Sequence, residues 1–424
     1  MPALPGPPLP AAAPAPRRQA LAVIGAGVAA ALHVGKLPPA VIALQQALGL
    51  TLVEAGFLLS LVQLAGMSAG LAFGLLADRL GGRSSMLCGL AVLAVASACG
   101  GAGDSAAWLM GWRAIEGCGF LLVVLPAPGL LRRLVPPGQV SATMGLWGAY
   151  MPLATALALL SGPVCIQTLG WRGWWWLLAA LTVAAAVWLM RAVPVAAHHA
   201  PLTGAQTGQR PTQGATAQSW LRPLRLTLGA AGPWLVAATF AMYSGQWLAV
   251  IGFLPTIYAQ AGLASTSNGL LTALAAAVNM LGNIAAGRLL QRGVAAERLL
   301  VTGFLAMAMA AAAAFAGSGE GAGLPPLLRY VAVLVFSGFG GLIPATLFAL
   351  ALRVAPAQAA VSTTVGWVQQ WSALGQFGGP PLVAWLASRA GGWQLTWLAT
   401  GTCSLVGLSL VALLTWRLRA AAPR

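Results

Sequence analysis

Four ionisable side chains fall inside long apolar runs: His33 and Lys36, three residues apart, and Arg113 and Glu116, also three apart. That spacing puts the members of each pair on one helix face. Charge inside such a run is costly and is usually tied to function. Two chemistries fit. In the first, Lys36, the only lysine in the chain, makes a cationic pocket with help from Arg113, while Glu116 or His33 takes up and releases a proton. In the second, Arg113 and Glu116 neutralise each other as a structural pair, and Lys36 stretches its stem outward. Lys36 lies about 24 Å into its run at roughly 1.5 Å per residue, with His33 nearer the midplane. Pro38 and Pro39 follow and should bend or loosen the helix.

A second layer of polar and aromatic groups sits in other runs: Gln63, Trp147, Tyr150, Tyr243, Gln246, Trp247, Asn279, Asn283, Gln369, Gln370, Trp371 and Gln376. Of these, Tyr150, Tyr243, Gln246 and Gln370 are candidate substrate contacts, although mid-span amides also bond neighbouring helices. Trp171, Trp174 and Trp393, near run ends, read as interfacial anchors.

The elements that position these residues follow from composition. The chain has 424 residues, of which 59% are hydrophobic and 7% charged, with mean hydropathy +0.84. A soluble domain carries roughly 25% charged residues, so a water-facing surface is excluded for most of the chain. Membrane barrels alternate polar and apolar residues; these runs are continuous. The expectation is an all-α polytopic membrane protein with spans at 20–44, 52–77, 84–103, 106–131, 141–164, 174–190, 230–255, 267–287, 299–316, 328–352, 360–385 and 394–414. They group as a tail (1–19), a six-helix bundle (20–190), a linker (191–225), a second six-helix bundle (226–416) and a short tail (417–424). Arg17 and Arg18 before an apolar run resemble a cleavable leader, but the run continues past Ala31, so an uncleaved first span is expected.

The net charge of +16 comes from 22 basic residues against six acidic ones, scattered between apolar runs. With no soluble domain to present them, nucleic-acid binding is not expected. With the N-terminus in the cytoplasm, 17 basic residues fall inside, three (Arg172, Arg329, Arg389) outside, and two, Lys36 and Arg113, within spans. This asymmetry predicts both termini in the cytoplasm of a bacterium, across its inner membrane. No P-loop appears, the six carboxylates give little material for paired-acid catalysis, and the five cysteines form no CxxC pair. His198 and His199 read as solvated. No enzyme, metal or cofactor is expected, and a monomer would suffice.

The two halves echo each other. Gly74-Leu-Leu-Ala-Asp78-Arg79-Leu-Gly81 is matched by Gly287-Arg288-Leu-Leu-Gln291-Arg292-Gly293, and Gly117 and Gly119 by Gly338 and Gly340. Trp147 is matched by Trp367, and Trp171-Arg172-Gly-Trp174 by Gly391-Gly392-Trp393. Parallel repeats of this kind place a binding site between halves near the midplane.

Gly74-Leu-Leu-Ala-Asp78-Arg79-Leu-Gly81-Gly82-Arg83 resembles the signature loop of the major facilitator superfamily, G-x-L-A-D-R-x-G-R-R. Arg113-Ala-Ile-Glu116-Gly117-Cys-Gly119 is similar to its R-x-x-Q-G-x-G. Gly82 stands where the pattern has a basic residue, and Glu116 where it has Gln. The resemblance implies twelve helices in two pseudo-symmetric bundles. It also implies a gating role for Gly74, Asp78, Arg79, Gly81 and Arg83, against the plainer reading of a solvated turn. A cation in the first span resembles the cyanate-permease-like and monocarboxylate-transporter-like branches. Span five reads Gly145-Leu-Trp-Gly148-Ala-Tyr-Met-Pro152 and lacks the antiporter signature G-x-x-x-G-P-x-x-G-G. The expected function is proton-coupled uptake of a small organic anion by alternating access. Export of a drug or metabolite by proton antiport is the alternative, and a transporter-like membrane sensor is the alternative of another class.

Overall fold

The computed structural model describes residues 16–136, 139–194, 221–317, 323–357 and 360–420, and among them every regular element is helical. The helices are α1 (Pro16–Gly35), α2 (Val41–Leu48), α3 (Leu52–Ser60), α4 (Leu64–Leu80), α5 (Gly82–Ala102), α6 (Ala106–Val124), α7 (Ala127–Leu134), α8 (Val140–Gly148) and α9 (Tyr150–Ala192) in the first half. The second half has α10 (Leu221–Gly229), α11 (Ala231–Gln260), α12 (Ser265–Gln291), α13 (Ala296–Phe315), α14 (Pro326–Gly340), α15 (Leu342–Val354), α16 (Val361–Ala390) and α17 (Thr396–Ala420).

Ten described helical stretches are long and apolar enough to cross a membrane. Two features bring this to the twelve expected. The 43-residue α9 is two spans joined at Gly170, whose φ of +71° breaks the helix, a conformation glycine adopts without steric cost. The 30-residue α16 is absent from the ten; it carries Gln369, Gln370 and Gln376, and it packs against the other half. Side chains such as Leu327, Met309 and Leu405 are largely exposed, as lipid-facing residues are.

The first span departs from one continuous helix. α1 stops at Gly35, a 3-10 turn covers Pro38–Ala40, and α2 resumes at Val41. Two consecutive prolines remove two N–H donors and crowd the preceding turn, which forces this break. Pro126 divides α6 from α7 in the same way. α3 starts with a capping box: Thr51 Oγ1 accepts from Glu54 N at 3.2 Å, and Glu54 Oε2 accepts from Thr51 N at 2.8 Å. Within the expected linker, α10 begins at Leu221 and continues into the second half; residues 195–220, with His198 and His199, lie outside the described residues.

One buried apolar cluster runs through both halves, joining Leu37, Leu58 and Leu59 to Val250, Ile251 and Leu254. These residues lie toward the end of the molecule reached by the C-terminal ends of α1 and α11. A second cluster, from Ala20 to Val193, belongs to the first half alone. Across the halves α9 packs on α12, and α3 and α4 pack on α16. The small-residue face of α4 makes the latter contact possible: a Cβ on Gly66 would lie 3.0 Å from Ala373 Cβ, and Gly70 faces Gln370.

Candidate functional site

The break in the first span creates the site. Lys36 N still donates to Leu32 O at 2.8 Å, but Ala40 N, which a continuous helix would aim at the Lys36 carbonyl, donates to Leu37 O at 2.9 Å in the 3-10 turn instead. Trp174 Nε1, from the second part of α9, donates to the Lys36 carbonyl at 3.1 Å. Lys36 itself turns into the bundle. Its ammonium donates to Glu116 Oε1 and to Ser97 Oγ at 2.9 Å, and sits 4.6 Å from the centroid of the Trp175 ring. Such a cation–π contact is favourable once the ammonium is desolvated.

Glu116 holds two cations. Its second oxygen accepts from Arg113 Nη1 at 2.6 Å. The same Nη1 donates to the His33 carbonyl at 2.6 Å, and Arg113 Nε donates to Leu58 O at 3.2 Å. Arg113 Nη2 is buried with no hydrogen-bond partner. His33 Nε2 lies 2.7 Å from Thr182 Oγ1, whose own hydroxyl donates to Leu178 O at 2.8 Å. The hydroxyl hydrogen is thus committed, so Nε2 carries the proton and Nδ1 accepts from Lys36 Nζ at 3.3 Å. This pattern is the neutral imidazole.

His33, Lys36 and Arg113 are 0% exposed and Glu116 is 1% exposed. Lys36 therefore does not stretch outward, because its counter-charge is inside. The group combines two fixed cations with one carboxylate and a neutral histidine. Taking a proton onto Glu116 would leave both cations uncompensated, a large cost in a buried site. The chemistry available is a lock of one net positive charge, held by Glu116, that a proton could open.

The other candidates do not join this group. Tyr150 stacks on Trp147 with centroids 4.4 Å apart. Tyr243 Oη accepts from Asn279 Nδ2 at 3.0 Å, and Asn279 Nδ2 also reaches Ser337 O at 2.9 Å. Gln246 accepts from Ser404 Oγ at 3.1 Å. Gln370 Nε2 crosses the halves to Met67 O at 2.8 Å, and Gln63 Nε2 donates to Gln376 Oε1 at 3.0 Å beside it.

In the signature loop, Gly74 falls within α4, and the side chains of Asp78 and Arg79 lie outside what is described. Gly81 has φ +76° and separates α4 from α5. Arg83 donates to Val193 O at 2.7 Å and Met190 O at 3.1 Å, so it caps the carboxyl end of α9 within its own half. A cation there meets the negative end of the helix dipole.

Trp171, Trp174 and Trp393 are all buried, which corrects their reading as interfacial anchors. Trp174 has a polar partner in the core, and Trp393 Nε1 donates to Gln260 Oε1 at 2.7 Å. Ser97, Thr182 and Trp175 went unnoticed because small hydroxyls and tryptophans in apolar runs look alike whether they pack or bind.

Comparison with known proteins adds the following. The model of the Major Facilitator Superfamily matches residues 20–376 and 235–424. The chain is 35% identical over 99 residues to the tetracenomycin C resistance and export protein of Streptomyces glaucescens, covering 23% of this chain and 18% of that protein. It is 34% identical over 125 residues to the methylenomycin A resistance protein of Bacillus subtilis (strain 168), covering 29% and 26%. These matches thus span about a fifth to a quarter of those relatives' lengths. Among solved structures, the fold is similar to a bacterial homolog of the human lysosomal transporter Spinster in an inward-facing, occupied conformation, with TM-score 0.72, 14% identity, and 93% and 96% of the two chains covered. It is also similar to a D-xylose-proton symporter, with TM-score 0.70, 15% identity and coverage of 94% and 97%.

Proposed function

Because the chain belongs to the Major Facilitator Superfamily and is a multi-pass bacterial membrane transporter, we propose that it takes up a small organic anion by proton-coupled alternating access. The observation that carries this reading is the buried group of Lys36, Arg113 and Glu116, two cations against one carboxylate, with Arg113 Nη2 unpartnered. A surplus of positive charge in a low-dielectric interior favours an anion nearby. Glu116 is the proton carrier, His33 the neutral relay beside it, and Lys36 and Arg113 supply the attraction. Tyr150, Tyr243, Gln246 and Gln370 complete the substrate path, and the loop from Gly74 to Arg83 acts as a gate. Both termini are cytoplasmic, following the distribution of arginine.

The test is anion flux in proteoliposomes, comparing gradient-driven accumulation with counterflow, which needs no proton gradient. Glu116→Gln should lose accumulation and keep counterflow; Lys36→Gln should lose both. No response to any carboxylate or inorganic anion would overturn the substrate assignment.

The resistance and export relatives favour a second reading, efflux of an antibiotic-like compound by proton antiport. It predicts that cells expressing the protein tolerate such compounds at higher concentration, and that Glu116→Gln abolishes the tolerance.

A further inference from the structure

The His33 ring is held from both sides. Its Nε2 lies 2.7 Å from Thr182 Oγ1 of α9, and its Nδ1 faces Lys36 Nζ at 3.3 Å and Glu116 Oε1 at 3.6 Å. Thr182 has one hydroxyl hydrogen, which goes to Leu178 O at 2.8 Å, so toward His33 it can only accept. Ser97 of α5 works in the same way. Its hydrogen goes to Trp175 O at 2.9 Å, and its lone pair accepts from Lys36 Nζ at 2.9 Å.

This commitment closes one side of the imidazole to proton transfer. Thr182 cannot hand a proton to Nε2, which already carries one, and beyond the hydroxyl lies a backbone carbonyl. Exchange at His33 is thereby confined to Nδ1, the nitrogen that faces the ionised groups. Among the described residues, the charged groups acting on His33 are Lys36 on its own helix and Arg113 and Glu116 on α6. From α5 and α9 the group receives the uncharged Ser97, Thr182 and Trp175.

An added proton raises the charge of the group by one unit whichever atom receives it. On Glu116 it would strip Lys36 and Arg113 of their shared counter-charge. On His33 Nδ1 it leaves the carboxylate ionised, within reach of all three cations. The contact given up is the one from Lys36 to Nδ1, the longest of the three that its ammonium makes. Lys36 keeps both Glu116 and Ser97.

We propose that Thr182 is a positioning residue for proton coupling: it fixes His33 as the Nε2–H tautomer and so makes Nδ1 the first seat of an incoming proton, ahead of Glu116. The proton adds to the Nδ1 lone pair, and the new N–H turns to Glu116 Oε1. From there it passes to the carboxylate once Glu116 parts from its cations. This last step rests on the reading of Glu116 as proton carrier; the tautomer and the order of protonation do not.

The experiment is 15N and 13C NMR of the full chain in lipid bilayers. The chain has three histidines, so with His198→Gln and His199→Gln every labelled imidazole is His33. In this parent protein Nδ1 should give a pyridine-type signal and Nε2 a pyrrole-type one. In Thr182→Val the tautomer ratio should move about fivefold toward Nδ1–H, the loss of one ordinary hydrogen bond. Thr182→Ser, which keeps the hydroxyl, should restore the parent ratio. On acidification the Nδ1 signal should turn pyrrole-type before the Glu116 carboxyl carbon, assigned by its loss in Glu116→Gln, reaches its protonated position. An Nδ1–H tautomer in the parent, or an unchanged ratio in Thr182→Val, would overturn the positioning role. Protonation of Glu116 ahead of His33 would overturn the first seat. None of these spectra needs a substrate, so a lack of anion flux in proteoliposomes would sink the transport reading alone.

Discussion

The two halves share a six-helix plan but fill their interiors differently. The first encloses His33, Lys36, Arg113 and Glu116, tied together by charge. At its own buried core the second encloses amides and hydroxyls: Asn279 with Tyr243, Ser337 and Asn283, Gln246 with Ser404, and Trp247 with Ser337 at 3.2 Å. A charged network responds to a proton because one protonation changes its balance by a full unit. A network of amides and hydroxyls has no group that titrates near neutrality, so it can only hold a shape or read one. On the proposed reading coupling therefore belongs to the first half, and the second supplies the surface against which it moves.

The largest test of this contrast is Glu116→Leu, which strands two buried cations. The expected loss is about 3–5 kcal/mol, read as collapse of the thermal transition in detergent. Adding Lys36→Met should recover part of it. Asn279→Leu removes three hydrogen bonds in the second half but no charge, and should cost about 1–2 kcal/mol; a loss equal to that of Glu116→Leu would break the comparison. Trp174→Phe leaves the Lys36 carbonyl unpaired at the helix break, with an expected cost of about 1 kcal/mol. Since Trp174 only positions the first span, gradient-driven flux should fall more than counterflow. Gln63→Leu cuts one amide bridge between halves. It should shift the closed arrangement by about 0.6 kcal/mol, measured as cross-linking rate between cysteines at 66 and 373. Glu297→Gln removes the exposed pair with Arg419 at 3.1 Å and should move stability by no more than about 0.5 kcal/mol.

Much of the site was legible in the sequence because charge is conspicuous in an apolar run. His33 and Lys36 on one helix turn, and Arg113 and Glu116 on another, needed only spacing to be paired within each helix. The proline pair announced the break in the first span. What spacing cannot provide is the rotation of one helix against another. Whether Lys36 met Glu116 or the membrane surface depended on how α1 lies against α6, a matter of side-chain packing along both helices. The same holds for Trp174: near a span end it fits an interfacial anchor, and only the fold of α9 back from Gly170 puts its ring against the broken end of α1.

Composition, hydropathy and the internal echo thus determined the class, the number of spans and the two-half plan, because a bilayer restricts a chain to helices of fixed length with satisfied backbones. The tertiary structure alone decided which charges face each other, that Ser97 and Thr182 complete the network, and that Gln63 and Gln370 bridge the halves. These contacts join residues up to 313 positions apart, and they are chosen by the packing of whole helices rather than by any local pattern.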